Sequence, residues 1–252
     1  MKTIAIINRK GGVGKTATAH TLGAGLMKTG KRVLFVDLDS QMNLSFVMNA
    51  AITPKNSMAL LMGEVTTKEA IQHTPNGDII AASEDLAAAD MTFTQKRKEY
   101  ILREALDEVK KAYDYVIIDT PAALGTLTTN ALTAADYGII TVQPEVFSLQ
   151  GLGQLYKIIE TVTAYSNKDL KIKGILITRF DKKTVLSRDM QSDMNEAAQQ
   201  LHTFVYKYPI RECIAVKEAQ ARQTDIFTYS PRSNAAKDYK AFLEEFIRRE
   251  KK

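Results

Sequence analysis

Near the start of the chain two lysines bracket three glycines: Arg9-Lys10-Gly11-Gly12-Val13-Gly14-Lys15-Thr16. Glycines at that density let backbone N–H groups converge on an anion. A lysine adds a point charge, and the hydroxyl beside it can ligate a divalent cation. The apolar run at 4–7 reads as a buried strand, and a helical pattern follows from about Thr16 to Lys28. The positive end of that helix adds to the attraction for phosphate. The generic spacing G-x-x-x-x-G-K-[ST] is broken here. The slot five residues before Gly14 holds Arg9, and a second lysine, Lys10, stands ahead of the glycines.

In such a cradle Lys15 reaches the β and γ phosphates and the Thr16 hydroxyl binds Mg²⁺. Asp119, closing the apolar run Tyr115–Asp119, is the natural carboxylate to hold that ion through water. Asp37 and Asp39 follow another apolar run. They can cap the next helix, or one can serve the metal region while the other orients a water for in-line attack on a γ-phosphate. Lys10 is placed too early to curl onto phosphates that Lys15 already holds. It is left with solvent, or with the phosphate of a second subunit packed face to face, where it would act as an arginine finger does.

The elements that must position these residues are legible as well. Strand-like runs at 4–7, 32–37, 78–82, 115–119, 138–142 and 172–178 are rich in Val and Ile, several of them without interruption. Continuous apolar strands imply burial on both faces, as in a parallel sheet. Helical patterns at about 15–29, 97–112, 126–135, 148–165 and 187–201 lie between them. The alternation predicts an α/β fold: a doubly wound, mostly parallel sheet with helices on both faces, of the P-loop NTPase type. No linker-like stretch divides residues 1–252, so a single domain is expected. The loops at 10–16, 37–41 and 119–121 follow strand ends and should converge on one edge, where such sheets place ligands.

Composition narrows the classes. The 252 residues are 45% hydrophobic and 25% charged, values of a folded globular chain. One cysteine, Cys213, permits neither an internal disulfide nor a four-cysteine metal site, and His20, His73 and His202 show no metal spacing. The start runs straight into the first strand, and no apolar run reaches membrane-spanning length, so a cytoplasmic protein is expected. Residues 1–167 carry 16 Lys/Arg against 17 Asp/Glu, and residues 168–252 carry 18 against 12. The basic last third fits a polyanion partner or an ordinary solvated surface. Arg188, Arg211, Lys217 and Arg222 are the candidate phosphate contacts.

Lys10 to Thr16 resembles the deviant Walker A motif of the ParA/MinD class of P-loop ATPases. Further segments resemble ParA/Soj-type partition ATPases in order along the chain. Residues 36–43 (VDLDSQMN) are similar to their Walker A′ segment, and residues 117–121 (IIDTP) with 129–132 (TNAL) to their Walker B region. Residues 142–152 (VQPEVFSLQGL), 217–219 (KEA) and 229–233 (YSPRS) are similar to later family segments. The resemblance implies ATP and Mg²⁺ as cofactors and Gly11, Gly12, Val13, Gly14, Lys15, Thr16 and Ala17 around the phosphates. It implies Thr16, Asp39 and Asp119 at the metal, Asp39 as the aspartate needed for hydrolysis, and Thr178, Arg179 and Pro209 about the adenine. Lys10 becomes the signature lysine of an ATP-bound homodimer, in an enzyme of weak intrinsic ATPase activity. Non-specific DNA and a ParB-type centromere-binding protein are the implied partners, with association to the nucleoid and a role in plasmid or chromosome partition.

There are departures. Ser40 and Met42 replace a usual Pro and Gly, and Ala17 replaces a usual hydroxyl residue. The family's arginine before the Glu-Ala motif falls near Ala215. No helix-turn-helix precedes the glycine loop. Two other readings stand beside partition: a MinD-like membrane-positioning ATPase and a ParA-like ATPase moving another cargo. For the first, Ala236, Tyr239, Phe242, Leu243, Phe246 and Ile247 recur at helical spacing ahead of a basic tail, as an amphipathic membrane helix would. Glu244, Glu245 and Glu250 argue instead for a last helix packed on the domain, so membrane binding is not expected.

Overall fold

The computed structural model describes residues 1–145, 148–181, 185–200 and 202–250, and for 148–150 and 185–191 the backbone alone. Its strands are β1 (Lys2–Ile7), β2 (Val33–Asp37), β3 (Ile71–Thr74), β4 (Gly77–Ile80), β5 (Tyr115–Asp119), β6 (Tyr137–Val142) and β7 (Lys171–Ile177). They form one sheet in the order β3-β4-β2-β5-β1-β6-β7. Every pairing is parallel except β3 with β4.

Each strand feeds two cores. Ile4 and Ile6 of β1 join one apolar cluster, while Ala5 and Ile7 join the other. That is why these strands read as uninterrupted apolar runs rather than alternating ones. On one face lie α1 (Lys15–Lys28), α2 (Asn43–Val47), α10 (Ile214–Ala221), α11 (Ile226–Tyr229) and α12 (Asn234–Glu250). Against the other pack α3 (Ser57–Met62), α4 (Thr67–Ala70), α5 (Ala89–Thr92), α6 (Ile101–Asp107), α7 (Thr126–Ala134), α8 (Ser148–Tyr165) and α9 (Val185–Gln200). Helix α1 presses close to β2: a Cβ on Gly23 would stand 2.2 Å from the Phe35 ring.

The predicted helix over 97–112 shortens to a 3-10 turn at Lys98–Tyr100 followed by α6. Arg97 takes a left-handed φ of 65°, and after Asp107 successive i→i+3 bonds turn the chain toward β5. Strand β3 was not foreseen, because Ile71-Gln72-His73-Thr74 alternates as a short edge strand rather than running apolar.

The C-terminal apolar stripe belongs to the domain. Ala236, Tyr239, Phe242 and Phe246 of α12 are at most 2% exposed, and Phe242 meets the Tyr206 ring edge-on at 4.6 Å. Glu245 is also buried; it accepts from Lys207 N at 3.0 Å and Arg249 Nε at 2.8 Å. The face that a membrane helix would offer is thus already occupied. Among the described residues no helix is long and apolar enough to cross a membrane.

Candidate functional site

The ends of β1, β2 and β5 bring the three expected loops to one sheet edge, and in register. Ile6 pairs with Asp119, and Asp37 with Asp119, on adjacent strands. The glycine loop needs its glycines, since Gly12 and Gly14 hold φ of 76° and 80°. It is fastened from the β6–β7 side. Asn8 Nδ2 donates to Thr141 O at 2.5 Å, Gln143 Nε2 to Gly12 O at 2.6 Å, and Thr178 Oγ1 to Val13 O at 2.9 Å. Val13 is buried beneath the loop as its anchor.

Above the loop opens a cavity of about 760 Å³. Gly11, Gly12, Gly14, Lys15, Thr16, Ala17 and Asp39 line one side of it, and Thr178, Arg179, Arg211 and Lys217 another. Phe46, Ile210, Ile214 and Val216 supply an apolar wall. Pro209 is half-buried beside this wall, and its neighbour Ile210 makes the lining contact. Volume and mixed lining suit a nucleotide-sized ligand with a flat apolar part and a charged part.

The charged part is concentrated. Lys15 Nζ folds back over the loop to Lys10 O at 3.3 Å, and the side chain is nearly buried. Burial holds its ammonium below the ordinary value, against the opposing pull of Asp119 and Asp39. Thr16 Oγ1 donates to Asp119 Oδ2 at 2.6 Å. Burial, reinforced by the nearby Asp37, pushes the Asp119 carboxyl well above the usual carboxylate range. The second oxygen, Asp119 Oδ1, is buried without a hydrogen-bond partner. A half-buried hydroxyl on a buried carboxylate with one oxygen unsatisfied is what a hydrated divalent cation would complete, so the residues fit Mg²⁺.

Asp37 has a different job from Asp39. It is fully buried and accepts from Asp39 N at 3.0 Å and from both the N and Oγ of Ser45 at 2.8 Å. Ser45 Oγ in turn accepts from Ala82 N at 2.8 Å. Desolvation raises the Asp37 pKa to about 6 despite these bonds. Asp37 is therefore the buried peg of the loop, while Asp39 stands at the cavity with its Oδ1 accepting from Gln41 N at 3.1 Å. Of the alternatives open in the sequence, capping the next helix describes Asp37.

Lys10 leaves the cradle. Its ammonium is ion-paired with Glu145, and both side chains are nearly half exposed. Arg179, at a left-handed φ of 50°, pairs with Glu212 at 2.8 Å.

Two of the four candidate phosphate contacts, Arg211 and Lys217, line the cavity. Arg211 is held by both oxygens of Asp238, at 2.6 and 2.8 Å. Arg222 lies 6.0 Å from the Tyr229 ring centroid. Arg188 falls on α9, where its side chain lies outside the described residues. Sequence reasoning gave no role to Asn8, Ser45, Phe46 or Val216. Of these only Asn8, just after the first strand, carried a positional signal.

The AAA domain family profile matches residues 1–172. The sporulation initiation inhibitor protein Soj of Bacillus subtilis is 39% identical over 243 residues, spanning 94% of this chain and 95% of that protein. The chromosome partitioning protein ParA of Caulobacter vibrioides is 35% identical, spanning 100% and 96%. Among solved structures, cobyrinic acid a,c-diamide synthase from Mycobacterium smegmatis with bound ADP and magnesium aligns with a TM-score of 0.86. It is 34% identical, over 100% of this chain and 96% of that one. Apo McdA from Cyanothece shares the fold with a TM-score of 0.88 at 24% identity, over 98% and 99%. The similarity to Soj and ParA thus runs the length of the sheet and through all three loops of the cradle, and the chain belongs to the ParA/Soj family of partition ATPases.

Proposed function

We propose that two copies of the chain close face to face on two molecules of Mg²⁺-ATP. The closed dimer binds DNA without sequence preference, and a ParB-type centromere-binding partner stimulates hydrolysis and release in plasmid or chromosome partition. The observation that carries this reading is the division between the two lysines. Lys15 spans the cradle, whereas Lys10 points to the rim and pairs with Glu145. A cation at the rim cannot serve its own phosphates while Lys15 lies over them. It is free to serve those of an opposing subunit.

Phosphoryl transfer asks the protein mainly for positioning and charge neutralisation. Lys15 exchanges the Lys10 carbonyl for the β and γ phosphates. Thr16 and Asp119 would hold Mg²⁺, with Asp39 facing the same region, and the ion when bound would supply neutralisation of phosphate charge. Asp39, tethered through its own N–H to Asp37, orients the attacking water. Lys10 of the opposing subunit balances the charge that develops on transfer. Gly11, Gly12, Gly14 and Ala17 border the phosphates, and Thr178, Arg179, Pro209 and the Ile210–Val216 wall receive the adenine. Bound ADP and magnesium in the 34%-identical neighbour support this placement. The protein would be cytoplasmic and nucleoid-associated, with slow unstimulated turnover.

Analytical ultracentrifugation with ATP, ADP and no nucleotide tests the reading, alongside titration of a duplex at two salt concentrations. Wild type should dimerise and bind duplex with ATP alone. Lys10→Ala should bind ATP and stay monomeric; an ATP dimer of that variant at wild-type affinity refutes the role of Lys10 across the interface.

A further inference from the structure

The turn that carries Asp39 is closed by a residue in a conformation that its own side chain opposes. Met42 holds φ 55° and ψ 25°, in the left-handed region, at the start of α2. For a residue with a Cβ that region is crowded by the neighbouring carbonyl, and glycine is its usual occupant. Met42 N donates to Asp39 O at 2.8 Å, and Phe46 N to Met42 O at 2.9 Å. Ser40 and Gln41, between them, have no positive φ, so residues 39–42 form a type I turn. Asp39 is therefore held on both sides, its N–H by Asp37 at 3.0 Å and its C=O by Met42. Glycine at position 42 would make the same backbone bonds without the strain.

What methionine adds is a side chain, and that side chain leaves the cavity. Asp39, Gln41 and Asn43 line the cavity, whereas Met42 among them does not. It is half-buried and packs against the apolar cluster that contains Leu34, Val36 and Leu38. The apolar residues that follow, Leu44 and Met48, enter the cluster on the other face of the sheet. The segment from Leu38 to Met48 thus straddles the end of β2, with the Met42 thioether on one side and Leu44 on the other. An unbranched, adaptable side chain suits such a reach. Little else fixes the turn. Ser40 is half-buried and Gln41 exposed, and among the described residues neither side chain makes a hydrogen bond. Left-handed strain persists only where the surroundings hold it, and here the hold is the side chain in the core.

We propose that Met42 is a positioning residue for hydrolysis: anchored in the core, it fixes the 39–42 turn and so the direction in which the Asp39 carboxylate meets the attacking water. This role rests on the reading that Asp39 orients that water, and it names the residue that sets its aim. A misplacement of about 1 Å in such a group can lower a rate by roughly 10²-fold. Nucleotide binding does not depend on the turn in the same way, because the glycine loop is fastened by Gln143 and Thr178 from the β6–β7 side. A proline at position 40 would constrain the turn by another route. Ser40 is the second residue of a type I turn, the place that favours proline, and among the described residues its N–H donates to no backbone carbonyl.

The test is single-turnover hydrolysis of Mg²⁺-ATP by the full chain, with ATP affinity measured in parallel and circular dichroism as the control on folding. Met42→Gly should slow hydrolysis about tenfold and leave ATP affinity within about twofold of wild type. Met42→Leu, of similar volume and equally strained, should hold the wild-type rate. Ser40→Pro/Met42→Gly should recover most of the rate that Met42→Gly loses, although the core contact stays absent. Failure of that rescue overturns positioning in favour of plain core packing. A fall in ATP affinity that matches the fall in rate overturns it too, since the effect then runs through the cradle. A wild-type rate in Met42→Gly, with hydrolysis lost in Asp39→Ala, overturns the role of Met42 and leaves that of Asp39 standing. A wild-type rate in Asp39→Ala overturns both.

Discussion

Asp37 accepts both the N–H and the hydroxyl of Ser45, each at 2.8 Å, and so binds the start of α2 to the end of β2. The same carboxylate holds Asp39 N, which makes a fully buried residue the support of a half-buried one at the cavity.

Asp37→Ala leaves the Asp39 and Ser45 N–H groups without their acceptor. It should lower stability by about 2–4 kcal/mol in urea unfolding, since stranding buried donors costs roughly 1–3 kcal/mol each. Asp37→Asn keeps one acceptor oxygen but turns an NH2 on one of the two N–H groups, so it should lose about 1–3 kcal/mol, less than Asp37→Ala. In both, kcat should fall further than nucleotide affinity, because Asp39 loses its orientation while the glycine loop is untouched.

Removing the Thr16 hydroxyl takes one donor from Asp119 and, in the proposed site, one ligand from the metal. Nucleotide affinity of wild type should rise on adding Mg²⁺, and Thr16→Ala should lose most of that gain. A drop of about tenfold or more corresponds to a charge-assisted hydrogen bond of roughly 1.5–3 kcal/mol. Calorimetric titration with and without Mg²⁺ reads it directly. An unchanged Mg²⁺ dependence would place the ion elsewhere.

The pairing of Lys10 with Glu145 competes with any role for that lysine on an opposing subunit. Exposed ion pairs contribute about 0–1 kcal/mol, so Glu145→Gln should tighten the ATP-dependent dimer by no more than about fivefold. Sedimentation equilibrium should show that modest gain, in contrast to the loss expected for Lys10→Ala.

His20 lies in α1 behind the cradle, nearly buried, its ring 6.2 Å from that of Phe35. Burial depresses its pKa to about 4 from an ordinary 6.5, partly opposed by Asp225. The folded pKa is below the unfolded one, so the unfolded chain takes up a proton that the native chain refuses. Stability is intact above pH 6.5 and falls as pH drops toward 4, by about 3 kcal/mol in all. Urea midpoints measured across that range should show His20→Leu losing less than wild type; equal losses would assign the acid sensitivity to other groups.

The strands with two buried faces and the glycine loop were legible because their signals are local: uninterrupted Val and Ile, and glycines where φ must be positive. Six of the seven strands lie where those runs predict. What the sequence hides is pairing at a distance. Arg211 reads as a free cation until α12 brings Asp238 against it, 27 positions on. Asp37 and Asp39 look alike until α2 folds back and Ser45 claims the first. Gln143 reads as one residue of a loop until Gly12 O is found at its amide, 131 positions away.

Helix α12 touches both ends of the molecule. Its Tyr239 borders the cavity and hydrogen-bonds Thr18 at 3.3 Å, while its Arg249 rests on Phe204 at the far pole. Seventeen residues at about 1.5 Å each make a rod of roughly 25 Å. A parallel sheet is too stiff to carry a message along its strands. Helix α12 instead joins the wall of the cavity to the opposite end of the strands in one rigid piece.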